Sequence, residues 1–250
     1  MNNVKVSVII PCYNSERTIL KAINSILDGS LLPYEILVYD DNSTDSTIQV
    51  IEKNFFDSSI IKIFKGEVNK GAGSSRNELI KRASGNFIAF LDADDFWYKE
   101  KLEKQVKEIS NNGCDIVTCG YDIFDENGLL MGSRIPIKNI NNYTMHLTNW
   151  LPTSMTVFRK NLEAAQEMPQ IRRRQDYGFW LGIFKNNKKL KCRVIDEPLG
   201  GYLRRSGSLS SSKFNNLKFN FRLFREVMKY SLIFSIFLIF LNATIRIMRK

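Results

Sequence analysis

Short apolar runs alternate with segments of helical spacing through the first hundred residues. Residues 4–10 (VKVSVII) predict a buried strand that stops at Pro11. Residues 15–27 carry Ile19, Leu20, Ile23, Ile26 and Leu27, a single helical stripe, with Asn14 or Ser15 as its cap. Strands are predicted again over 34–39, 60–64 and 87–91, and helices over 45–53, 71–82 and 98–109. This order predicts an α/β fold, Rossmann-like, with a mostly parallel sheet and helices on both faces. Beyond residue 110 the pattern loosens. A strand is predicted over 115–121, a hairpin over 121–137 turning at Asn127-Gly128, a short strand over 153–158 and a helix over 176–185.

Each early strand runs into a polar segment. Pro11-Cys12-Tyr13-Asn14 comes after the first and Asp40-Asp41-Asn42-Ser43-Thr44 after the second. Asn69-Lys70-Gly71 comes after the third, and Asp92-Ala93-Asp94-Asp95 after the fourth. In a parallel sheet these segments share one edge, the carboxyl edge, where ligands of such folds sit. Three carboxylates in four residues after a buried strand repel one another unless something neutralises them. A Mg or Mn ion with a diphosphate suits that need, because hard cations take oxygen ligands and share them with substrate phosphates. The plainer alternative is an acidic, solvated turn.

Composition narrows the partners. The 250 residues are 44% hydrophobic and 25% charged, enough for a substantial core, and the net charge of +10 favours anionic partners. Cys12, Cys114, Cys119 and Cys192 have neither CxxC nor zinc spacing and read as reduced structural thiols of a cytosolic protein. His146 is the single histidine and lies away from the acidic segments, which argues against histidine-based catalysis. No leader is expected at residues 1–5. Residues 230–241 (YSLIFSIFLIFL) are twelve uncharged positions between Lys218, Arg222, Arg225 and Lys229 on one side and Arg246, Arg249 and Lys250 on the other. Twelve residues do not span a bilayer, which needs about 20. The segment reads as an amphipathic, apolar helix lying on an anionic membrane surface, the alternative being a helix docked on the protein's own core.

The set Val6–Asn14, Asp40–Asp45, Asn69-Lys70-Gly71 with Arg76-Asn77, and Leu91–Asp95 resembles the family 2 glycosyltransferases. Arg172–Tyr177, Tyr202 and Ser208-Leu209-Ser210 resemble the bacterial branch that builds surface polysaccharides such as teichuronic acid and O-antigen. The likeness covers residues 4–213 and implies the GT-A fold, inversion at the anomeric centre, and a nucleotide-sugar donor, by family expectation a UDP-sugar. It implies that Pro11 and Tyr13, with Asn14, line the nucleotide pocket. Asp41, or Asp40, accepts a hydrogen bond from the base or ribose, a fit for a carboxylate, unless these residues serve an Asx-turn and helix cap. Arg76 reaches the nucleotide or the acidic cluster. Asp92, beside Ala93, holds the ribose or the turn. Asp94 ligates Mn or Mg, with Asp95 able to share that role.

The resemblance makes Asp176 the general base for the acceptor hydroxyl, with helix capping as the structural alternative. Gln175 stands where the family more often has Glu. Arg172, Arg173 and Arg174 then face a lipid diphosphate, the donor phosphates or solvent. Leu203 and Arg205 replace Arg and His of a Tyr-Arg-x-His pattern, and Trp180 stacks on a sugar or packs in the core. The expected organisation is a glycosyltransferase domain over 1–213, nucleotide-sugar half 1–100 and acceptor half 101–213, then the 214–250 tail. The expected acceptor is a polyprenyl-diphosphate-linked saccharide at the inner face of the cell membrane, with no nucleic-acid partner. A sugar nucleotidyltransferase is disfavoured because no early Gly-rich phosphate loop is present. A basic lipid- or nucleic-acid-binding module explains the charge but not the acidic cluster.

Overall fold

A computed structural model describes residues 4–163, 167–171, 173–204 and 213–248. The first half is strictly alternating: β1 (Val6–Cys12), α1 (Ile19–Leu27), β2 (Glu35–Asp40), α2 (Thr47–Phe55), β3 (Ile61–Lys65), α3 (Ala72–Arg82) and β4 (Phe87–Phe90). The second half comprises β5 (Phe96–Trp97), α4 (Lys101–Asn112), β6 (Ile116–Phe124), β7 (Leu130–Arg134), α5 (Asn142–Leu147), β8 (Val157–Arg159), α6 (Gln175–Asn186) and β9 (Cys192–Leu203). A 3-10 turn, Thr153–Met155, leads into β8. The tail forms α7 (Lys213–Arg222), a π-helical turn (Leu223–Val227) and α8 (Leu232–Met248).

One sheet holds the strands in the order β3-β2-β1-β4-β8-β6-β9-β5, with β7 pairing β6. β3, β2, β1 and β4 are mutually parallel, as the alternating pattern predicts. β8 then enters antiparallel to β4, and β6 is antiparallel to β8. The Asn127-Gly128 hairpin forms as β6–β7, with Gly128 at a positive φ of 82°.

Strand alternation sorts the core into two layers. Val6, Val8 and Ile10 of β1, with Ile36 and Val38 of β2, face α1, α2 and α4. Ile9, Leu37, Ile88 and Phe90 face the other way, onto α3, α5, α6 and the tail. The fold therefore has helices on both faces, and Leu223, Phe224 and Leu238 of the tail belong to the same apolar layer as α6.

Pro11 does not end the first strand. β1 continues to Cys12, with Pro11 opposite Tyr39. The carbonyls of Lys5 and Ile9 are bonded from the β4 side and those of Val6 and Cys12 from the β2 side. Odd positions thus face β4, whose pairing ends at Phe90 opposite Ile9. Pro11 lacks its N–H where no strand needs it. The first helix also starts later than its pattern predicts, at Ile19 after Thr18, with no side-chain cap from Asn14 or Ser15.

Candidate active site

The ends of β1 and β2 are laced together. Asn14, at φ 48°, donates its N–H to Ser43 Oγ (2.9 Å) and accepts the Thr44 N–H on Oδ1 (2.8 Å). Ser15 and Glu16 donate their N–H groups to Thr47 Oγ1 (2.7 Å) and Asp45 Oδ2 (3.1 Å). Asp40, buried, closes an Asx-turn by accepting the Ser43 N–H (3.0 Å) and hydroxyl. Burial, with Asp40 beside it, pushes the Cys12 thiol far above its ordinary range, which leaves it an inert packing group. Tyr13 stands out from this lacework, 48% exposed, while Pro11 is buried within β1.

Asp41 is 3% exposed and accepts two backbone N–H groups, from Lys70 (3.0 Å) and Gly71 (2.6 Å). Gly71 adopts φ 87°, a conformation that favours glycine, and leads directly into α3. One turn on, Arg76 is 6% exposed and its guanidinium pairs with Asp92. Arg76 therefore reaches the acidic cluster. Its Nε has no hydrogen-bond partner.

The Asp92–Asp95 turn divides its carboxylates. Asp92 and Asp94 are partly exposed, whereas Asp95 is buried. Asp95 accepts the Ser154 hydroxyl and the Leu203 N–H (3.4 Å). Burial, then Asp92 and Asp94, raise the Asp95 carboxyl well above the usual carboxylate range. Ser154 Oγ also accepts the Asp92 N–H (3.1 Å), so one hydroxyl fixes both ends of the turn.

Asp176 lies in the first turn of α6, where the helix dipole favours a carboxylate. Its Oδ2 accepts the Asn149 amide (2.8 Å) and the Thr153 hydroxyl (3.5 Å). Thr153 and Ser154 are adjacent, so one 3-10 turn touches both the acidic turn and Asp176. That turn is itself held from behind. Trp97 Nε1 donates to the Ser154 carbonyl (2.7 Å) and Gln105 Nε2 to the Met155 carbonyl (2.8 Å). Lys101, fully buried against the Trp97 ring, donates to Gln105 Oε1 (2.7 Å), and burial brings its pKa down to about 7. The α6 start also meets α3, where the Gln175 side chain fills the space a Cβ on Gly73 would take.

Asn149, Thr153, Ser154 and Gln105 carry no sequence signal of their own. The contacts that bring them to the site span 23 to 62 residues. Trp180 is fully buried against Phe90, Phe158 and Phe179, so it is core and stacks on no sugar. Arg173 lies over the Phe219 ring of α7. Arg172, Arg205 and Ser208-Leu209-Ser210 lie outside the described residues.

The carboxylates fit a hard cation that draws most ligands from elsewhere. Among the described residues no group of three or more His, Cys, Asp or Glu side chains is placed to close around a metal. Asp94, with Asp92 on the open side of the turn, would supply one or two carboxylates. That is the number Mg typically takes from protein when substrate phosphates complete its shell.

Comparison with known proteins decides the family. The model of "Glycosyl transferase family 2" matches residues 7–165. The chain belongs to glycosyltransferase family 2. This family 2 enzyme is 36% identical to the Escherichia coli protein WfgD, named UDP-Glc:alpha-D-GlcNAc-diphosphoundecaprenol beta-1,3-glucosyltransferase, over 87% of this chain and 84% of that one. It is 33% identical to TuaG of Bacillus subtilis, whose name refers to teichuronic acid biosynthesis, over 89% and 88%. The crystal structure of S. aureus TarS 1-349 in complex with UDP-GlcNAc superposes with a TM-score of 0.71 at 25% identity, over 91% of this chain and 68% of that one. The GT-A-like fold is thus shared with these enzymes.

Proposed function

We propose that the chain is an inverting, metal-dependent transferase. It moves a sugar from a UDP-sugar to a saccharide carried on a polyprenyl diphosphate, at the inner face of the cell membrane. The observation that carries the reading is the two-sided turn. Thr153 and Ser154 tie Asp176 to the Asp92–Asp95 segment, which sets a base opposite the carboxylates expected to face the donor diphosphate. The names of WfgD and the ligand of the TarS complex support the donor and acceptor classes. Family membership sets aside the nucleotidyltransferase and the basic binding module.

Asp176 deprotonates the acceptor hydroxyl as it attacks C1 from the face opposite the diphosphate. Asn149 and Thr153 hold Oδ2, which fixes the carboxylate's orientation for that proton transfer. A diphosphate leaves without a general acid, so one carboxylate suffices where a hydrolase commonly uses two. Asp94, with Asp92, would hold Mn or Mg, which offsets charge on the departing nucleoside diphosphate when bound. Arg76 keeps Asp92 oriented and lowers the mutual repulsion of the turn.

Calorimetry of UDP, GDP and dTDP, each with Mn and with EDTA, tests the donor side. Binding of UDP that EDTA removes is the expected result. Tight binding without metal, or binding of another nucleotide alone, would overturn that part of the reading.

A further inference from the structure

Helix α8 is docked inside out. Its buried positions are Ser235 (0% exposed), Leu238 (2%) and Asn242 (3%), which share one face at a spacing of three and four residues. Two of these three are polar, and one of them, Asn242, is bonded inward to α5. Ser235 donates to the Ser231 carbonyl (2.9 Å), and Asn242 donates to the carbonyls of His146 (3.0 Å) and Leu238 (3.0 Å). The opposite face carries Ile233 (83% exposed), Phe237 (56%) and Phe240 (69%). A helix folded only to shed water would turn those three inward.

The rotation is fixed by specific contacts. Tyr230 hydrogen-bonds His146 Nε2 (2.7 Å) and stacks on Phe224. Arg225 Nη1 donates to the Tyr230 carbonyl (2.8 Å). Lys185 approaches the Tyr230 ring, and Lys185, Arg225 and Lys229 are all exposed at this end of α8. An apolar stripe thus runs away from a basic cluster, the pattern of a helix that lies in a lipid interface. Among the described residues no helix is long and apolar enough to cross a membrane.

We propose that this outward face of α8 lies in the surface of an anionic bilayer. Ile233, Phe237 and Phe240 enter the headgroup–acyl boundary, and Lys185, Arg225 and Lys229 meet the lipid phosphates. The docked face gives the arrangement a use that rests on the lipid-linked acceptor of the preceding section. α8 is bonded to α5 through Asn242 and His146, and Asn149, two residues past α5, holds Asp176. The bilayer surface and the base are therefore joined through hydrogen-bonded structure rather than by a loose tether.

The test is co-sedimentation of the full chain with vesicles of phosphatidylglycerol and phosphatidylcholine, and of phosphatidylcholine alone. Wild type is expected to pellet with the anionic vesicles. Phe237→Glu with Phe240→Glu is expected to bind them roughly tenfold or more weakly. Both side chains are exposed, so its unfolding midpoint and UDP binding stay as in wild type. Unchanged pelleting of the double variant would overturn the proposal, as would equal binding to neutral vesicles. So would a wild-type dimer that ignores vesicles and that the variant splits. Sugar transfer by wild type to a lipid-diphosphate saccharide, and to the same saccharide on a short soluble aglycone, separates the two readings. Use of neither acceptor sinks the acceptor assignment while vesicle binding stands.

Discussion

Asp41 offers the sharpest test of what the carboxyl edge of the sheet is for. The family likeness gives its carboxylate to the nucleotide. The structure gives both oxygens to backbone N–H groups of Lys70 and Gly71, at the start of the helix that carries Arg76. Asp41→Asn keeps the shape but leaves one acceptor oxygen and points an NH2 at an N–H. One bond loses its charge assistance and one backbone donor loses its partner. At about 1 kcal/mol for the first and about 1–2 kcal/mol for the second, the variant is destabilised by roughly 2–3 kcal/mol. For a chain of this length that lowers the melting temperature by roughly 4–12 °C. Urea unfolding measures the difference directly, and calorimetry with UDP is then run on the same protein. A variant with wild-type stability and no UDP affinity would refute the reasoning. It would return the carboxylate to the nucleotide and make the two backbone contacts incidental.

The remaining predictions concern the divided carboxylates, Asp176 as base, and the ion pair of buried Glu35 with half-exposed Lys62. Asp94→Ala should abolish metal-dependent UDP binding, whereas Asp95→Asn should keep it, since Asp95 is turned towards Ser154 and Leu203; calorimetry with Mn and with EDTA reverses the assignment if the two variants behave the other way round. Asp176→Asn should lose roughly two or more decades of turnover with donor binding nearly intact, given the usual contribution of a general base. Asn149→Ala should lose about tenfold, the loss of one orienting hydrogen bond to a charged group, and full turnover in either variant would count against the base. Burial alone would raise the Glu35 carboxyl, but Lys62 (2.8 Å), the Ser84 N–H (2.6 Å) and the Ser7 hydroxyl (2.7 Å) outweigh it and hold its pKa below the ordinary value. A depressed carboxylate stabilises the fold above its unfolded pKa of about 4.3 and loses that contribution as pH falls through the folded value. Glu35→Gln should therefore be destabilising at pH 7, with a penalty that shrinks as pH falls below about 4 in urea unfolding; a penalty that does not change with pH would show that charge is not the cause.

Much of the fold was legible because its signals are local. The period of apolar residues gave the β1–β4 strands and α1–α4 helices to within a few residues, and the alternation implied their parallel order. Pro11 misled because a missing N–H matters only where a neighbour wants it, and pairing on that side had already ended. The polar edge was visible as segments but not as partners. Nothing local tells Asp94 from Asp95, since the difference is a serine 59 residues away from Asp95. Trp180 of α6 is ambiguous in sequence because its burial is decided by Phe90 of β4 and Phe158 of β8. The tail's apolar run was readable, but which face it turns outward is set by Asn242 meeting His146, 96 residues earlier.

Partners distant in sequence also account for the antiparallel strand beside the parallel half. β8 runs antiparallel to β4, so the start of β8 adjoins the end of β4. The Thr153–Met155 turn that precedes β8 is thereby delivered to the Asp92–Asp95 turn at the end of β4. A parallel β8 would have placed its leading turn at the opposite edge of the sheet, away from every carboxylate in the site. Reversal of one strand lets Ser154 reach Asp92 and Asp95 while its neighbour Thr153 reaches Asp176. Lys101, Gln105 and Trp97 then form a buried polar support under that turn, in a region where unpaired carbonyls would be expensive. The spacing between the Asp92–Asp95 carboxylates and Asp176 is thus a property of one short turn and the three side chains behind it, and substitutions at Gln105 should disturb both together.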